Sequence, residues 1–269
     1  MDYLSAASEI AREAGELIAR HAARRVEVEY KDNYDLVTAT DRASEALIVE
    51  RLRSRFPSHA IVAEEGGGVE SDSGYVWHVD PLDGTTNFAH GFPAFAVSLG
   101  LACRGEVIAG VVYDPLREEL FAAEKDSGAY LNQQRIRVSA VSKMAQGLFA
   151  TGFPNARRHK DVNVHFFHQV AMLSHGVRRA GAAALDLCWV ASGRLEGFWE
   201  FGLKTWDVAA GLLIINEAGG THGDMDGGPY ELGGPRLAAS NGRVHDELLT
   251  LFGEVFQGRY RVPLHAPGP

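Results

Sequence analysis

Between residues 95 and 124 the chain passes through three short stretches rich in β-branched and small apolar residues, AVSLGLAC, EVIAGVVYD and REELFAAE, separated by Arg104-Gly105 and Asp114-Pro115. Breaks this short leave no room for a crossover helix, so the three strands must run antiparallel as a meander. Helical patterns lie upstream of it. Residues 3–23 place Leu4, Ala7, Ile10, Ala14, Leu17 and Ile18 at three- and four-residue spacing, with Glu9, Arg12, Glu13 and Glu16 opposite, which predicts an amphipathic surface helix. A second helix is expected to start at Thr40-Asp41, carry Leu47, Ile48 and Leu52 inward and stop before Pro57. Ala60-Ile61-Val62-Ala63 and Val76-Trp77-His78-Val79 read as further strands, whose C-terminal ends deliver Glu64, Glu65 and Asp80.

The second half alternates similarly. Strands are expected at GLFAT, RLEGFWEF and RLAAS, and helices over 161–175, 182–192, 205–218 and 244–256, with Gly219-Gly220 closing the third helix. The pattern predicts an α+β fold of alternating helical layers and sheets. A soft division near SAVSKMAQG separates an N-terminal α+β half (1–145) from a C-terminal α/β half (146–269). Acids suited to chemistry fall in both, so the second half is expected to complete the site begun by the first. The tail from Pro263, PLHAPGP, has no periodic apolar pattern and is expected to fray.

Composition narrows the function classes. The 269 residues are 46% hydrophobic and 23% charged, which suits a chain that folds alone. Its 35 Asp and Glu against 26 Lys and Arg leave a net charge of -9, which disfavours direct nucleic-acid or anionic-lipid binding and favours cations as partners. No apolar run reaches the roughly 18 residues of a membrane span. MDYLSAASEIAREAG is acidic and amphipathic rather than signal-like, so a cytoplasmic location is expected. Cys103 and Cys188 are the only cysteines and read as two buried thiols.

The segment Trp77-His78-Val79-Asp80-Pro81-Leu82-Asp83-Gly84-Thr85-Thr86-Asn87-Phe88 is expected to end a strand at Asp80, turn at Pro81 and present Asp83 so that both carboxylates aim at one point. Carboxylates held close repel unless a cation or proton intervenes, and hard oxygen donors suit Mg²⁺ or Mn²⁺. Gly84-Thr85-Thr86 adds unhindered N–H groups and two hydroxyls able to hold a phosphate beside the cations. Taken singly, each feature has a plainer reading. D-x-x-D-G can be a capped turn, Glu64-Glu65-Gly66-Gly67-Gly68 solvated acids before a flexible loop, and Asp207 after Trp206 a helix cap. Their number favours chemistry. His78 reads as a semi-core histidine, and His159, His165 and His168 as solvated or helix-packing. Arg157, Arg158 and Lys160 read as a solvated loop, and Arg178-Arg179 as solvated or at a dimer contact.

Asp80 through Phe88 and Trp206-Asp207 through Glu217-Ala218-Gly219-Gly220 match, in register, two signatures of the inositol monophosphatase family, which the chain resembles over most of its length. Further matches are Asp35-Leu36-Val37-Thr38 with Thr40-Asp41, Glu64-Glu65, and Gly110-Val111-Val112-Tyr113-Asp114-Pro115. Ala150-Thr151-Gly152-Phe153-Pro154, Ala184-Leu185-Asp186-Leu187 and Gly197-Phe198-Trp199-Glu200 look most like the bacterial branch, whose members can also modulate RNA polymerase complexes. The resemblance implies a layered α/β/α/β/α sandwich of the inositol monophosphatase and fructose bisphosphatase type, usually a homodimer. It also implies two or three Mg²⁺ per site, with Mn²⁺ able to substitute, and inhibition by Li⁺.

Carried over position by position, the resemblance puts Glu64, Asp80 and the Leu82 carbonyl on a first metal, Asp80, Asp83 and Asp207 on a second, and Glu64 on a weaker third. Thr85 paired with Asp41 would orient the attacking water, with Glu64 as a further catalytic acid. Gly84 and Thr85 N–H groups would bind phosphate. Glu200, Ala183, the backbone near Gly181 and Asp207 would meet the rest of the substrate, and Glu65 and Lys31 are additional candidates. Ala182 stands where family members often carry Ser or Thr, which removes a hydrogen bond expected there. The implied activity is hydrolysis of a small phosphomonoester, with a phosphorylated polyol, inositol 1-phosphate, first among substrates. The alternatives are 3′-phosphoadenosine phosphate, histidinol phosphate, NADP or fructose bisphosphate, or a regulatory protein that binds the transcription machinery. The absence of a basic insertion for a second phosphate disfavours the bisphosphates.

Overall fold

The computed structural model describes residues 2–22, 28–30, 36–153 and 161–263; Lys31, Asp35, Arg157, Arg158, His159, Lys160 and the tail beyond Pro263 lie outside them. The chain opens with α1 (Tyr3–Ala22), β1 (Val28–Tyr30), β2 (Leu36–Thr38) and α2 (Ala39–Arg55). Next come β3 (Ala60–Ala63), β4 (Tyr75–Asp83) and the short α3 (Thr85–His90), then β5 (Ala96–Cys103), β6 (Glu106–Asp114), β7 (Glu119–Glu124), β8 (Gly128–Leu131) and β9 (Gln134–Arg135). The second half runs β10 (Leu148–Thr151), α4 (Asn163–Leu173), β11 (Gly176–Arg178), α5 (Ala183–Ala191), β12 (Gly197–Phe201), α6 (Thr205–Glu217), β13 (Thr221–Gly223), β14 (Arg236–Ser240) and α7 (His245–Phe256).

Buried clusters set the layers. Ile10, Ala14 and Ile18 of α1, with Ile48 and Leu52 of α2, pack on Trp77, Val79, Leu99 and Val111 of a sheet ordered β3-β4-β5-β6-β7-β8-β9. Its opposite face, through Ala96, Val112 and Phe121, meets Leu185 and Leu187 of α5 and Ile214 of α6, which also reach Phe198 and Ala239 of a second sheet. That sheet, ordered β11-β10-β12-β14-β13, turns Phe149, Trp199 and Ala238 outward to Phe166 of α4 and Leu248 and Phe252 of α7. The order is α/β/α/β/α. Two-residue alternation along β4 serves both neighbours: Trp77 and Val79 face α1 and α2, while His78 lies 2.9 Å from Thr205 Oγ1 on α6. The chain passes between sheets in the stretch from 136 to 147, yet α5 and α6 pack on the first sheet, so the two halves share a core.

α6 lies on a floor of glycines. A Cβ at Gly100 would meet Ala209 Cβ at 2.7 Å, one at Gly110 would meet Ala210 Cα at 2.9 Å, and one at Gly211 would meet Leu187 Cδ1 at 2.6 Å. Their absence lets the helix approach the sheet and α5 closely, and Asp207 in its first turn inherits that depth.

Three expectations change. Thr38, not Thr40, caps α2: its Oγ1 accepts Thr40 N–H at 3.2 Å and its N–H donates to Asp41 Oδ2 at 2.9 Å. Pro81 does not end β4. The strand continues to Asp83 across a bulge, where a proline has no ladder N–H to forfeit. Cys188 is buried, but Cys103 is only partly so, because it ends β5 beside the Arg104-Gly105 turn.

Candidate active site

The bulge decides where the acids of β4 point. Asp80 pairs with Ser98 and Asp83 with Ala96, two residues apart on β5, so both carboxylates share the face toward α5 and α6. Asp80 Oδ1 accepts Leu82 N–H at 3.0 Å. Asp83 meets the N-terminus of α5, where its Oδ2 accepts Ala184 N–H at 2.8 Å. From α6, Asp207 Oδ2 accepts Lys204 N–H at 2.7 Å, so Asp207 does cap its helix, with one oxygen. Glu64 follows β3, which runs parallel to β4, and its N–H reaches Val79 O at 3.3 Å.

These acids share one field. Burial, with the charges of Glu64, Asp83 and Asp207 added, pushes the Asp80 carboxyl well above the usual range. Burial lifts Asp83 to about 7, against the pull of the Ala184 N–H and with Glu64 adding repulsion. Burial likewise lifts Asp207 to about 7, opposed by the Lys204 N–H and reinforced by Asp83. Among the described residues no three His, Cys, Asp or Glu side chains already close into a finished metal cage. The donor chemistry nevertheless fits a hard divalent cation: Asp80, Asp83 and Asp207 are oxygen donors that burial and mutual repulsion hold above their ordinary range.

Gly84 leads into α3 at φ 90°, and a Cβ there would meet Ala94 O at 2.7 Å, so glycine is required twice over. Thr85 then donates its hydroxyl to Asp41 Oδ1 at 2.8 Å, with Leu82 O as a second acceptor at 3.1 Å. Asp41 is fully buried, and its Oδ2 accepts both the N–H and the hydroxyl of Thr38. Ser44 Oγ donates to Pro81 O at 2.8 Å and so fastens the bulge to α2. Glu45 accepts the N–H groups of Glu65 at 2.7 Å and Gly67 at 2.8 Å, which holds the loop after Glu64.

Across the cleft, β12 supplies Glu200, whose carboxyl burial and the charges of Asp207 and Asp83 lift to about 8. Asn87 Nδ2 donates to Ala94 O at 2.7 Å and Ala180 O at 2.8 Å, joining α3 to the Gly181 turn, where φ is +82°. Ala182 and Ala183 are buried, so the position expected for a family hydroxyl is an apolar wall. The structure thus gathers Asp41, Glu64, Asp80, Leu82, Asp83, Gly84, Thr85 and Asp207 where β3, β4, α2 and α6 meet. Asp83 bonds the start of α5 beside Ala183, Asn87 reaches Gly181, and Asp83 and Asp207 raise the Glu200 carboxyl. Glu65 belongs to the loop tied by Glu45. Sequence reasoning passed over Ser44 and Glu45 and gave no role to Asn87 and Asp186, which it named only within longer motifs. Asp186 is a buried acid whose Oδ1 has no hydrogen-bond partner and whose carboxyl is pushed far up by burial, Glu200 and Asp83. A lone acid in the otherwise apolar AALDLCWVA was its signal.

A profile of the Inositol monophosphatase family matches residues 2–256. The chain belongs to the inositol monophosphatase family. Nus factor SuhB of Pseudomonas aeruginosa is 45% identical over 255 residues, covering 92% of this chain and 94% of that protein. Inositol-1-monophosphatase of Synechocystis is 47% identical over 216 residues, covering 80% and 75%. Among solved structures, inositol monophosphatase from Anabaena superposes with a TM-score of 0.85 at 41% identity and covers 95% of each chain. The extragenic suppressor protein suhB from Bartonella henselae gives 0.90 at 38%, covering 94% and 98%. As an inositol monophosphatase family member the chain is supported as a phosphatase. Among the described residues, no helix is long and apolar enough to cross a membrane.

Proposed function

We propose that this chain is a Mg²⁺-dependent phosphomonoesterase acting on small phosphorylated polyols, inositol 1-phosphate first. The observation that carries the reading is the convergence of the Glu64, Asp80, Asp83 and Asp207 carboxylates, whose charges act on one another, beside the Asp41–Thr85 hydrogen bond. Glu64, Asp80 and the Leu82 carbonyl would hold one cation, Asp80, Asp83 and Asp207 a second, and Glu64 a weaker third. Bound Mg²⁺, or Mn²⁺ in its place, would supply positive charge that neutralises phosphate oxygens and acidifies water.

The chain's own groups do the rest. With its proton committed to Asp41, Thr85 Oγ1 keeps lone pairs free to accept a hydrogen bond from the attacking water and set its direction. The first-turn N–H groups after Gly84 have no partner within α3 and suit phosphate oxygens. Glu200 lies across the cleft with two carboxyl oxygens able to accept hydrogen bonds from vicinal hydroxyls. A phosphate-release screen over a panel of phosphomonoesters, with and without Mg²⁺ and with Li⁺ as inhibitor, tests the reading. Hydrolysis of none above background would overturn it.

Relatives named Nus factor SuhB favour a second role as a protein partner of the transcription machinery. The net charge of -9 makes a basic protein a better fit than RNA. A pull-down with RNA polymerase, repeated with an Asp83→Asn variant, separates the roles: capture that survives loss of turnover supports a distinct surface. We also propose a cytoplasmic homodimer, tested by fractionation and by light scattering on the eluted protein.

A further inference from the structure

The Glu200 carboxylate is held by shape as well as charge. A Cβ built on Gly152 would fall 2.2 Å from both Glu200 carboxylate oxygens and 2.3 Å from Cδ. Gly152 is not among the positive-φ glycines, so its backbone does not demand glycine. The space taken by the carboxylate does.

The backbone around Gly152 is pinned by a buried network. Asn163, at the start of α4, donates Nδ2 to Gly152 O at 2.6 Å and to Thr151 Oγ1 at 2.8 Å, and its Oδ1 accepts Trp199 Nε1–H at 2.6 Å. Thr151 Oγ1 in turn donates to Trp199 O at 2.6 Å. Thr151 and Trp199 are register partners in the parallel pair β10 and β12, so the network joins the residue before Gly152 to the residue before Glu200. Thr151, Asn163 and Trp199 are fully buried. A satisfied polar network in a buried setting fixes one geometry, because each alternative leaves a donor or acceptor unpaired.

We propose that Gly152, fixed by Thr151, Asn163 and Trp199, is a specificity-determining position. Its missing side chain is the room in which the Glu200 carboxylate lies, and it sets where a polyol's hydroxyls are received. The inference rests on the reading of Glu200 as the polyol contact. Gly152 has no left-handed φ for an alanine to strain, and the atoms nearest its added Cβ are the movable end of Glu200. The carboxylate must then retreat by roughly 1 Å to restore ordinary contact.

The test is Gly152→Ala in the full-length Mg²⁺-loaded protein. Its KM for inositol 1-phosphate should rise about tenfold more than its KM for p-nitrophenyl phosphate, the scale of a misplaced hydrogen bond to a charged group. In a Glu200→Asp background, where the acid is one methylene shorter, the same change should cost little. Thr151→Val, which removes the bonds of its hydroxyl to Trp199 O and from Asn163 Nδ2 without adding bulk, should show the same split in smaller measure and serves if Gly152→Ala does not fold. An unchanged ratio of the two KM values in both variants, or equal losses in both Glu200 backgrounds, would overturn the proposal. Should Glu200→Gln raise both KM values equally, the polyol reading fails. A crystal structure of Gly152→Ala then decides: a displaced Glu200 carboxylate upholds the clamp, and an unmoved one overturns it.

Discussion

Thr85 has one proton and two acceptors in reach, and the shorter contact, 2.8 Å to Asp41, makes the two residues one device. Thr85→Ala should lower kcat by about 10²–10⁴-fold while Mg²⁺ affinity stays near wild type, since a hydroxyl that aligns a water acts on the transition state. The double variant with Asp41→Asn should be scarcely worse than the worse single variant; losses in kcat that multiply across the cycle would separate the pair. Asp41 also closes the capping box of α2, so Asp41→Asn should cost about 1 kcal/mol in stability, read by denaturant melts. Asp83→Asn should abolish turnover yet raise the melting temperature of metal-free protein at pH 8, because the amide resembles the protonated form that burial favours there. Wild-type turnover by Asp83→Asn would remove it from the site. Asp80, Asp83, Gly84 and Thr85 were legible because one continuous segment holds them. Glu45 was not: its partners, the N–H groups of Glu65 and Gly67, lie 20 and 22 residues away, and a glutamate on a helix face looks solvated until the loop closes over it.

α6 shows how an element's seating fixes a side chain. A Cβ at Gly110 would meet Ala210 Cα and O, both at 2.9 Å, and these are backbone atoms that cannot rotate aside. Gly110→Ala should therefore destabilise by about 1–3 kcal/mol and lower kcat, because the displaced helix carries Asp207. Gly253→Ala in α7, where nothing lies within 4 Å of the added carbon, should instead stabilise by about 0.5–1 kcal/mol with kcat unchanged. Melting curves beside kcat measure both. The long helices and the β5–β7 meander were readable because each spans enough residues to show its period. α3, β11 and β13 were not, at six, three and three residues, since a stretch that short fits either period. The bulge in β4 escaped notice for another reason. Pro81 signals a turn and a strand irregularity alike, and only the register against β5 distinguishes them.

At the scale of the whole molecule, Asp80, Asp83 and Asp207 are acids whose folded-state pKa lies above the unfolded value, Asp83 and Asp207 at about 7. The folded chain then binds more protons than the unfolded one between about pH 4 and 7, so their contribution to stability is present below about pH 4 and is lost as pH rises through about 7. Metal-free protein should melt lower at pH 8 than at pH 6. Added Mg²⁺ should raise the melting temperature by several degrees at pH 8 and little at pH 5, where protons occupy the carboxylates. Differential scanning calorimetry across that range checks it, and a Mg²⁺ shift independent of pH would show that these acids do not receive the cation. The bulge between Asp80 and Asp83 has a consequence of a different kind, which is arithmetic. Residues three apart on a regular strand are an odd step and point to opposite faces; the one extra residue makes the step even. Deleting Leu82 or Pro81 would restore a regular strand and leave the acids two apart on one face, whereas one more residue inserted between them would make the step odd again and turn the two carboxylates to opposite faces, so the site depends on a count between them as much as on the residues themselves.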